Sequence, residues 1–351
     1  MKKVLIVGNS PSVKGGITTV INQFKNYDFS SNNIKTKFVS TYKDKNNFIK
    51  IMIFIVALIR VFFCFLFWKP NIIHIHMSYK GSFNRAYILQ KMALIFHVKN
   101  VIHLHGSEFK KWYDSVPNSK KEQIVKLLNK SDKFIVLGDI WNQTIKEIEP
   151  RTDILILKNS VKIPKNKTKY DVNKKVISFL GVLIKRKGVA DLISSLKDID
   201  CNGYKIIIAG VGPEEENLKE LVDKYQISNI EFVGWINENE KEKILLNSNF
   251  TILPSYNEGM PMSILESMSY GTPVLATNVG DIPTVISNDL NGLLYEPGDL
   301  KQLTKKLKKI LNMNEKTWDE MSRNARSTIE EEFSEENYFE KIIVLYNELC
   351  R

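Results

Sequence analysis

Two glutamates, Glu258 and Glu266, stand eight positions apart on either side of Gly259-Met260-Pro261-Met262-Ser263. The apolar run Phe250–Leu253 reads as a strand, residues 254–259 as a loop, and Pro261 suits the first turn of a helix reaching about Tyr270. Gly271-Thr272-Pro273 stops that helix, and residues 274–276 form the next strand. Glu258 then lies in a loop at the carboxyl end of a strand, and Glu266 on the helix behind it. The helix start, with N–H groups near Gly259, Met260, Met262 and Ser263, suits an anion in the same crevice. Diphosphate donors and two carboxylates for hydroxyl groups are what a nucleoside-diphosphate sugar requires. Without neighbouring motifs the same glutamates would read as a loop charge and an exposed helix residue.

The elements that must hold this segment recur along the chain. Strand-type runs at 4–7, 37–40, 72–76, 100–105 and 134–137 alternate with helical lengths, including 17–26 after Gly15-Gly16. A second series has strands at 176–180, 205–209, 230–233, 250–253, 274–276 and 292–295, with helices such as 214–224 and 300–311 between them. Alternation of this kind implies βαβ units around parallel sheets. The expectation is α/β: two Rossmann-like domains facing across a cleft, over 1–163 and 164–333, with 334–351 a helix returning to the first. The polar, Pro-containing stretch 161–167 reads as a linker. Trp318 and Phe333 are the expected anchors of two terminal helices.

Charge divides unevenly. Residues 1–170 hold 29 Lys and Arg against 10 Asp and Glu, a net of +19, whereas the remainder is −8. One domain is therefore expected to face an anionic partner, be it phosphorylated substrate, nucleic acid or anionic membrane, unless the lysines are merely a solvated surface. Three scattered cysteines, Cys64, Cys201 and Cys350, offer no disulfide framework or metal motif and point to a reducing cytoplasm. The N-terminus does not read as a signal peptide. Residues 51–68 are apolar except for Arg60 and as a helix would reach about 27 Å. A buried crossover helix, an interfacial helix and a spanning helix all fit; a span would put Arg60 at mid-membrane, costing about 2.5–3.5 kcal/mol.

Other residues join the chemistry with less specificity. Lys14-Gly15-Gly16-Ile17 after the first strand would let backbone approach a charged ligand. Lys185-Arg186-Lys187-Gly188 is a basic turn. His74, His76 and His103 alternate on two strands but lack a Cys or Asp partner, so they read as structural and no metal is expected. Asp198-Ile199-Asp200 has the spelling of a metal-binding DxD without its surroundings and is taken as chance.

Together these pieces resemble the retaining GT-B glycosyltransferases of family 4, the group 1 type with an E-x7-E signature. The run YNEGMPMSILESMSYGTPVLATNVGDIPTVI carries the resemblance, with Gly-Thr-Pro-Val and Gly280-Asp281-Ile282-Pro283 in the expected order. It implies that Glu258 contacts the donor sugar, that Glu266 binds the ribose hydroxyls, and that backbone amides at the helix start hold the diphosphate. Gly15 and Gly16 resemble the N-terminal loop that reaches toward the diphosphate, and His105 the histidine beside the donor sugar. Leu180-Gly181-Val182-Leu183-Ile184-Lys185-Arg186-Lys187-Gly188 resembles the GRL-x(n)-KG motif, with Lys187 the lysine that stabilises the leaving diphosphate. Gly210-Val211-Gly212 and Trp235-Ile236 resemble loops around the base. Two positions depart from the pattern: Val182 replaces an arginine, for which Arg186 or Lys185 could substitute, and Pro261 replaces a glycine, removing an N–H.

The expected activity is transfer of a sugar, with retention and without a metal or other cofactor, from a nucleoside-diphosphate sugar, expected to be UDP-linked, to a glycan hydroxyl. The basic first domain and the apolar stretch suggest a lipid-pyrophosphate-linked acceptor of surface polysaccharide synthesis, in a cytoplasmic enzyme bound peripherally to membrane; nucleic acid is not an expected partner. Rival readings are a GT-B enzyme of other chemistry (epimerase or phosphorylase) and a non-enzymatic basic binding protein. A dinucleotide oxidoreductase fits poorly, because GNSPSVKGG is not GxGxxG.

Overall fold

The computed structural model describes residues 1–13, 15–171, 175–197, 199–201 and 203–351. The chain forms two compact units, Met1–Asn159 with Glu336–Arg351, and Ser160–Glu335. Each is built on a parallel six-stranded sheet.

In the first unit the strands are β1 (Lys2–Asn9), β2 (Ile34–Tyr42), β3 (Ile72–Met77), β4 (Lys99–Leu104), β5 (Lys133–Val136) and β6 (Ile154–Ile156). Their order is β2-β1-β3-β4-β5-β6. The chain leaves β1 toward one edge and β3 toward the other, so their carboxyl ends open a crevice at that reversal. Every residue of β3 is buried, as expected for a central parallel strand covered on both faces. The strand β6, which the sequence reading did not place, is three partly buried residues pairing with β5 at Phe134↔Ile154. The last helix, Glu335–Leu349, buries Tyr338, Phe339, Ile342 and Tyr346. Phe339 stacks on Tyr27 with ring centroids 4.0 Å apart and meets Phe24 edge-on at 5.1 Å, so the final residues complete the first unit's core.

The apolar stretch is a helix over Asn47–Trp68 that widens into one π-helical turn at Cys64–Trp68. It is the crossover from β2 to β3, but the buried-helix reading needs correction. Only Ala57, Val61 and Phe65 are fully packed, a single i, i+4, i+8 stripe against the sheet. Phe48, Ile51, Ile55, Ile59, Phe63 and Phe67 lie exposed. A one-stripe contact leaves the far side of this largely apolar helix uncovered, because among the described residues of the unit no second layer lies over it.

In the second unit the strands are β7 (Val176–Leu180), β8 (Lys205–Ala209), β9 (Ile230–Gly234), β10 (Phe250–Leu253), β11 (Val274–Thr277) and β12 (Gly292–Tyr295). Their order, β12-β11-β10-β7-β8-β9, places the reversal between β10 and β7, which pair at Phe250↔Ile177. Trp318 and Phe333 are buried, and the Trp318 indole N–H donates to the Asn249 carbonyl at 2.7 Å. The stretch expected as a linker is pinned to this unit. Val161 exchanges backbone bonds with Phe333 and Glu335 at 2.9 and 3.0 Å, Arg326 donates to the Pro164 carbonyl, and the Thr168 amide donates to Tyr270. Its backbone polar groups find fixed partners, which a free linker would leave to water.

Candidate functional site

Loops at the carboxyl ends of β7 and β10 meet where the strand order reverses, the place where open α/β sheets bind ligands. Gly188 ends the turn after β7 with φ +67°, and a Cβ there would come within 1.9 Å of the Pro254 carbonyl oxygen. Only glycine permits that approach, which brings the Lys185–Lys187 turn against the loop after β10. The Tyr256 amide donates to the Arg186 carbonyl at 2.8 Å, and the Tyr256 hydroxyl to Asp191 at 2.6 Å, which braces the same contact.

Glu258, 7% exposed, occupies the centre. Its Oε1 accepts from Lys187 Nζ at 2.6 Å and from Ser255 Oγ at 2.7 Å. Arg186 Nη1 stands 3.6 Å from Glu258 Oε2 and also donates to the Asn257 carbonyl. Three of the residues singled out from sequence, Glu258, Lys187 and Arg186, are therefore in one cluster. Ser255 and Asn257 were missed, since neither residue type announces itself in a loop. Arg186 supplies a guanidinium near this carboxylate although Val182 stands where an arginine was expected.

Gly280 (φ +56°) lies on the Glu258 backbone, where a Cβ would fall 2.0 Å from its carbonyl oxygen. The adjacent Asp281 amide donates to the Gly259 carbonyl at 3.1 Å. The helix itself is Met262–Ser269, preceded by Pro261 at φ −73° and ψ 125°. Pro261 is thus the N-cap and not part of the first turn: its ψ is extended, although its carbonyl already accepts from the Ile264 amide at 3.2 Å. It brings no side-chain oxygen to cap the helix. Among the described residues, the Met262 and Ser263 amides donate to no backbone carbonyl. Met260 and Met262 are buried, Ser263 half-buried. Uncapped amides beside two cations make a place where an anion is stabilised.

Glu266 lies on that helix and pairs with Lys241 Nζ at 2.8 Å. Burial pushes the Glu266 carboxyl upward, and the Lys241 ammonium opposes it. Lys241 comes from the helix Glu238–Asn247, whose start Asn237 and Glu240 cap reciprocally. Sequence reasoning gave Glu266 no such partner. Gly210 follows β8 and packs on the Gly181 backbone, and Gly212 on Leu183. Ile236 packs against a small cluster of Leu180, Ala209 and Leu245, while Trp235 is exposed.

In the first unit Gly15, with φ +131°, precedes the helix Gly16–Asn26 after β1 and has no side-chain cap. Lys14 lies outside the described residues, as does Asp198 of the DxD spelling. His105 stands one residue beyond β4, which ends at Leu104, with its amide held by the Met77 carbonyl at 2.9 Å. Its ring belongs to a stack of four. His76 Nδ1 and His105 Nε2 are 2.9 Å apart, His74 Nε2 and His103 Nδ1 3.3 Å, and His74 Nδ1 meets the Tyr346 hydroxyl at 2.6 Å. Burial lowers the pKa of all four, His74 to about 3. Nitrogens of His74, His76 and His103 lie within 4.8 Å of one another, so three neutral imidazoles could by distance ligate an ion. Phe24 packs edge-on to His74 and His76, and the cluster brings no carboxylate or thiolate to balance a divalent charge. The stack reads as a hydrogen-bonded part of the core.

A family match follows the boundaries of the second unit. Residues 160–328, nearly all of the second unit, match the model of glycosyl transferases group 1. That match makes the second unit similar to the group 1 glycosyl transferases. An uncharacterized glycosyltransferase of Methanocaldococcus jannaschii is 28% identical over 285 residues, 80% of this chain and 76% of that protein. The capsular polysaccharide biosynthesis glycosyltransferase CapM of Staphylococcus aureus is 29% identical over 175 residues, 49% and 46% of the two chains. The structure of Anabaena HepE in complex with UDP-glucose matches with a TM-score of 0.77 at 15% identity, over 99% of this chain and 100% of that chain. That likeness shows a shared fold, GT-B.

Proposed function

We propose that this glycosyltransferase moves a sugar, with retention, from a UDP-sugar to a hydroxyl of a lipid-pyrophosphate-linked glycan in surface polysaccharide synthesis. The observation carrying the reading is the Lys187–Glu258 contact at the β7/β10 reversal, beside the uncapped start of the helix Met262–Ser269. The capsular role of CapM and the UDP-glucose bound to HepE support the choice of acceptor and donor.

On this reading the Met262 and Ser263 amides, with Lys187 and Arg186, take the donor diphosphate. Glu258 holds the sugar and Glu266 the ribose hydroxyls. Gly210, Gly212, Trp235 and Ile236 border the base, while Gly15, Gly16 and His105 enter by resemblance alone. The bond from C1 to the diphosphate oxygen breaks, leaving an oxocarbenium-like centre. The acceptor hydroxyl attacks C1 from the same face, and its proton passes to a departing phosphate oxygen. Charge on the leaving group grows in this step, so fixed cations and amides lower its barrier without a metal being required. The free thiols of Cys64, Cys201 and Cys350 support a cytoplasmic location.

A panel of radiolabelled UDP-, GDP- and ADP-sugars offered with pyrophosphate-linked glycans from a bacterial membrane extract tests it. UDP-sugar turnover into the lipid fraction is expected. Absence of both transfer and donor hydrolysis across the panel would refute it.

A further inference from the structure

The helix Asn47–Trp68 presents an apolar face that none of the described residues of its unit covers, and its surroundings say what would. Ile51, Ile55 and Ile59 recur every fourth residue on the exposed side, at 60%, 43% and 51% exposure. Phe63 and Phe67 extend the row and stack on each other, with centroids 5.9 Å apart. Through the Phe62–Phe96 contact at 5.6 Å the patch continues to Ile95, 73% exposed at the end of the helix Gly81–Ile95. The 22 residues make a rod of about 33 Å, so the row is far larger than the scattered apolar side chains of an ordinary surface.

Charge around the row is mostly positive, with Asp44 paired to Lys50 at 3.4 Å. Residues 45–107 contain no aspartate or glutamate, yet hold Lys45, Lys50, Arg60, Lys69, Lys80, Arg85, Lys91 and Lys99. The first unit as a whole carries 27 Lys and Arg against 13 Asp and Glu, a net of +14. A second copy of the chain would set this cationic region against itself. An anionic lipid surface offers both the apolar depth and the opposite charge. Spanning is a different matter. It would strip Ala57, Val61 and Phe65 from the sheet and remove the crossover between β2 and β3.

We propose that the helix Asn47–Trp68 is a monotopic membrane-docking element, lying in the plane of an anionic bilayer surface. Its Ile51-Ile55-Ile59-Phe63-Phe67 row sinks among the acyl chains. Lys45 before the helix and Lys69 after it sit at the headgroups, with Arg60 reaching them along its alkyl stem. The inference concerns the first unit alone and holds whichever sugar the second unit handles.

Flotation of the full chain with vesicles of equal parts phosphatidylglycerol and phosphatidylcholine tests it. Co-flotation at low salt, with release by alkaline carbonate, is expected. Ile51→Gln with Ile55→Gln and Ile59→Gln should weaken vesicle affinity by about tenfold or more while thermal unfolding stays unchanged, since these side chains are already in water. Independently, Lys45→Gln with Lys69→Gln should weaken binding to the anionic vesicles and leave the fold untouched. The proposal is overturned by failure to float, by equal binding to pure phosphatidylcholine, by carbonate resistance of the bound chain, or by a dimer in light scattering that the isoleucine variant dissociates.

Discussion

Lys187 Nζ donates to Glu258 Oε1 at 2.6 Å, joining the turn after β7 to the loop after β10 across 71 residues of sequence. The carboxylate shares its other contacts between the Ser255 hydroxyl and the Arg186 guanidinium. A donor diphosphate would compete with Glu258 for the same ammonium.

That competition separates the two residues experimentally. Glu258→Gln is expected to lower sugar transfer by about 100-fold or more, yet leave UDP binding equal or tighter, because Lys187 keeps its charge and loses its anion. Lys187→Ala should lower transfer by a similar factor and weaken UDP binding as well. Calorimetric titration with UDP beside rate measurements checks both; near-normal rates in either variant would remove the assigned roles.

Glu266 is buried on the helix Met262–Ser269 and paired with Lys241. If it holds ribose hydroxyls, Glu266→Gln should raise KM for the donor about tenfold, equivalent to about 1.4 kcal/mol, with kcat largely retained. Steady-state kinetics with varied UDP-sugar decides it. A fall in kcat at constant KM would assign Glu266 another task.

The sequence carried the order of elements well, and the structure says why. Apolar runs such as 250–253 and 274–276 are central parallel strands, buried on both faces, so they need no pattern beyond their own composition. Glu258, Arg186 and Lys187 were legible because they lie within motifs that keep their own spacing. Ser255 and Lys241 were not, since each acts on a glutamate through packing that no local spacing encodes. The helix Asn47–Trp68 was ambiguous for a related reason. An apolar helix announces that it avoids water, whereas what covers it depends on elements distant in sequence. The strand β6 is too short to stand out from the loop around it.

The imidazole stack makes stability depend on pH. His74, His76 and His103 are held neutral by burial, His74 down to about 3. The unfolded chain takes up protons near pH 6.5 and the folded chain does not, so stability is full above that value and falls as pH drops below it. Each imidazole contributes up to about 1.4 kcal/mol of loss per pH unit. Urea unfolding between pH 7.5 and 5 (about the range in which an ordinary imidazole titrates) should show a steep loss. A constant midpoint would mean that these rings charge within the fold.

Tyr346 anchors the last helix to His74 through its hydroxyl. Tyr346→Phe should cost about 1–3 kcal/mol, because a buried imidazole nitrogen loses its partner while the ring still packs. Denaturant titration of the variant measures this, and an unchanged midpoint would show that the hydroxyl is dispensable.

On the proposed function, leaving-group stabilisation by Lys187, Arg186 and the helix amides makes a metal unnecessary. Dialysis against a chelator should leave the transfer rate unchanged; a loss restored by a divalent ion would assign the leaving group to that ion.

The central claim is retaining transfer from a nucleotide sugar, and the anomeric configuration of the product tests it most directly. With an α-linked UDP-sugar labelled at C1, NMR of the glycosylated acceptor is predicted to show an α linkage. A β linkage would contradict the front-face chemistry assigned to the Lys187–Glu258 site.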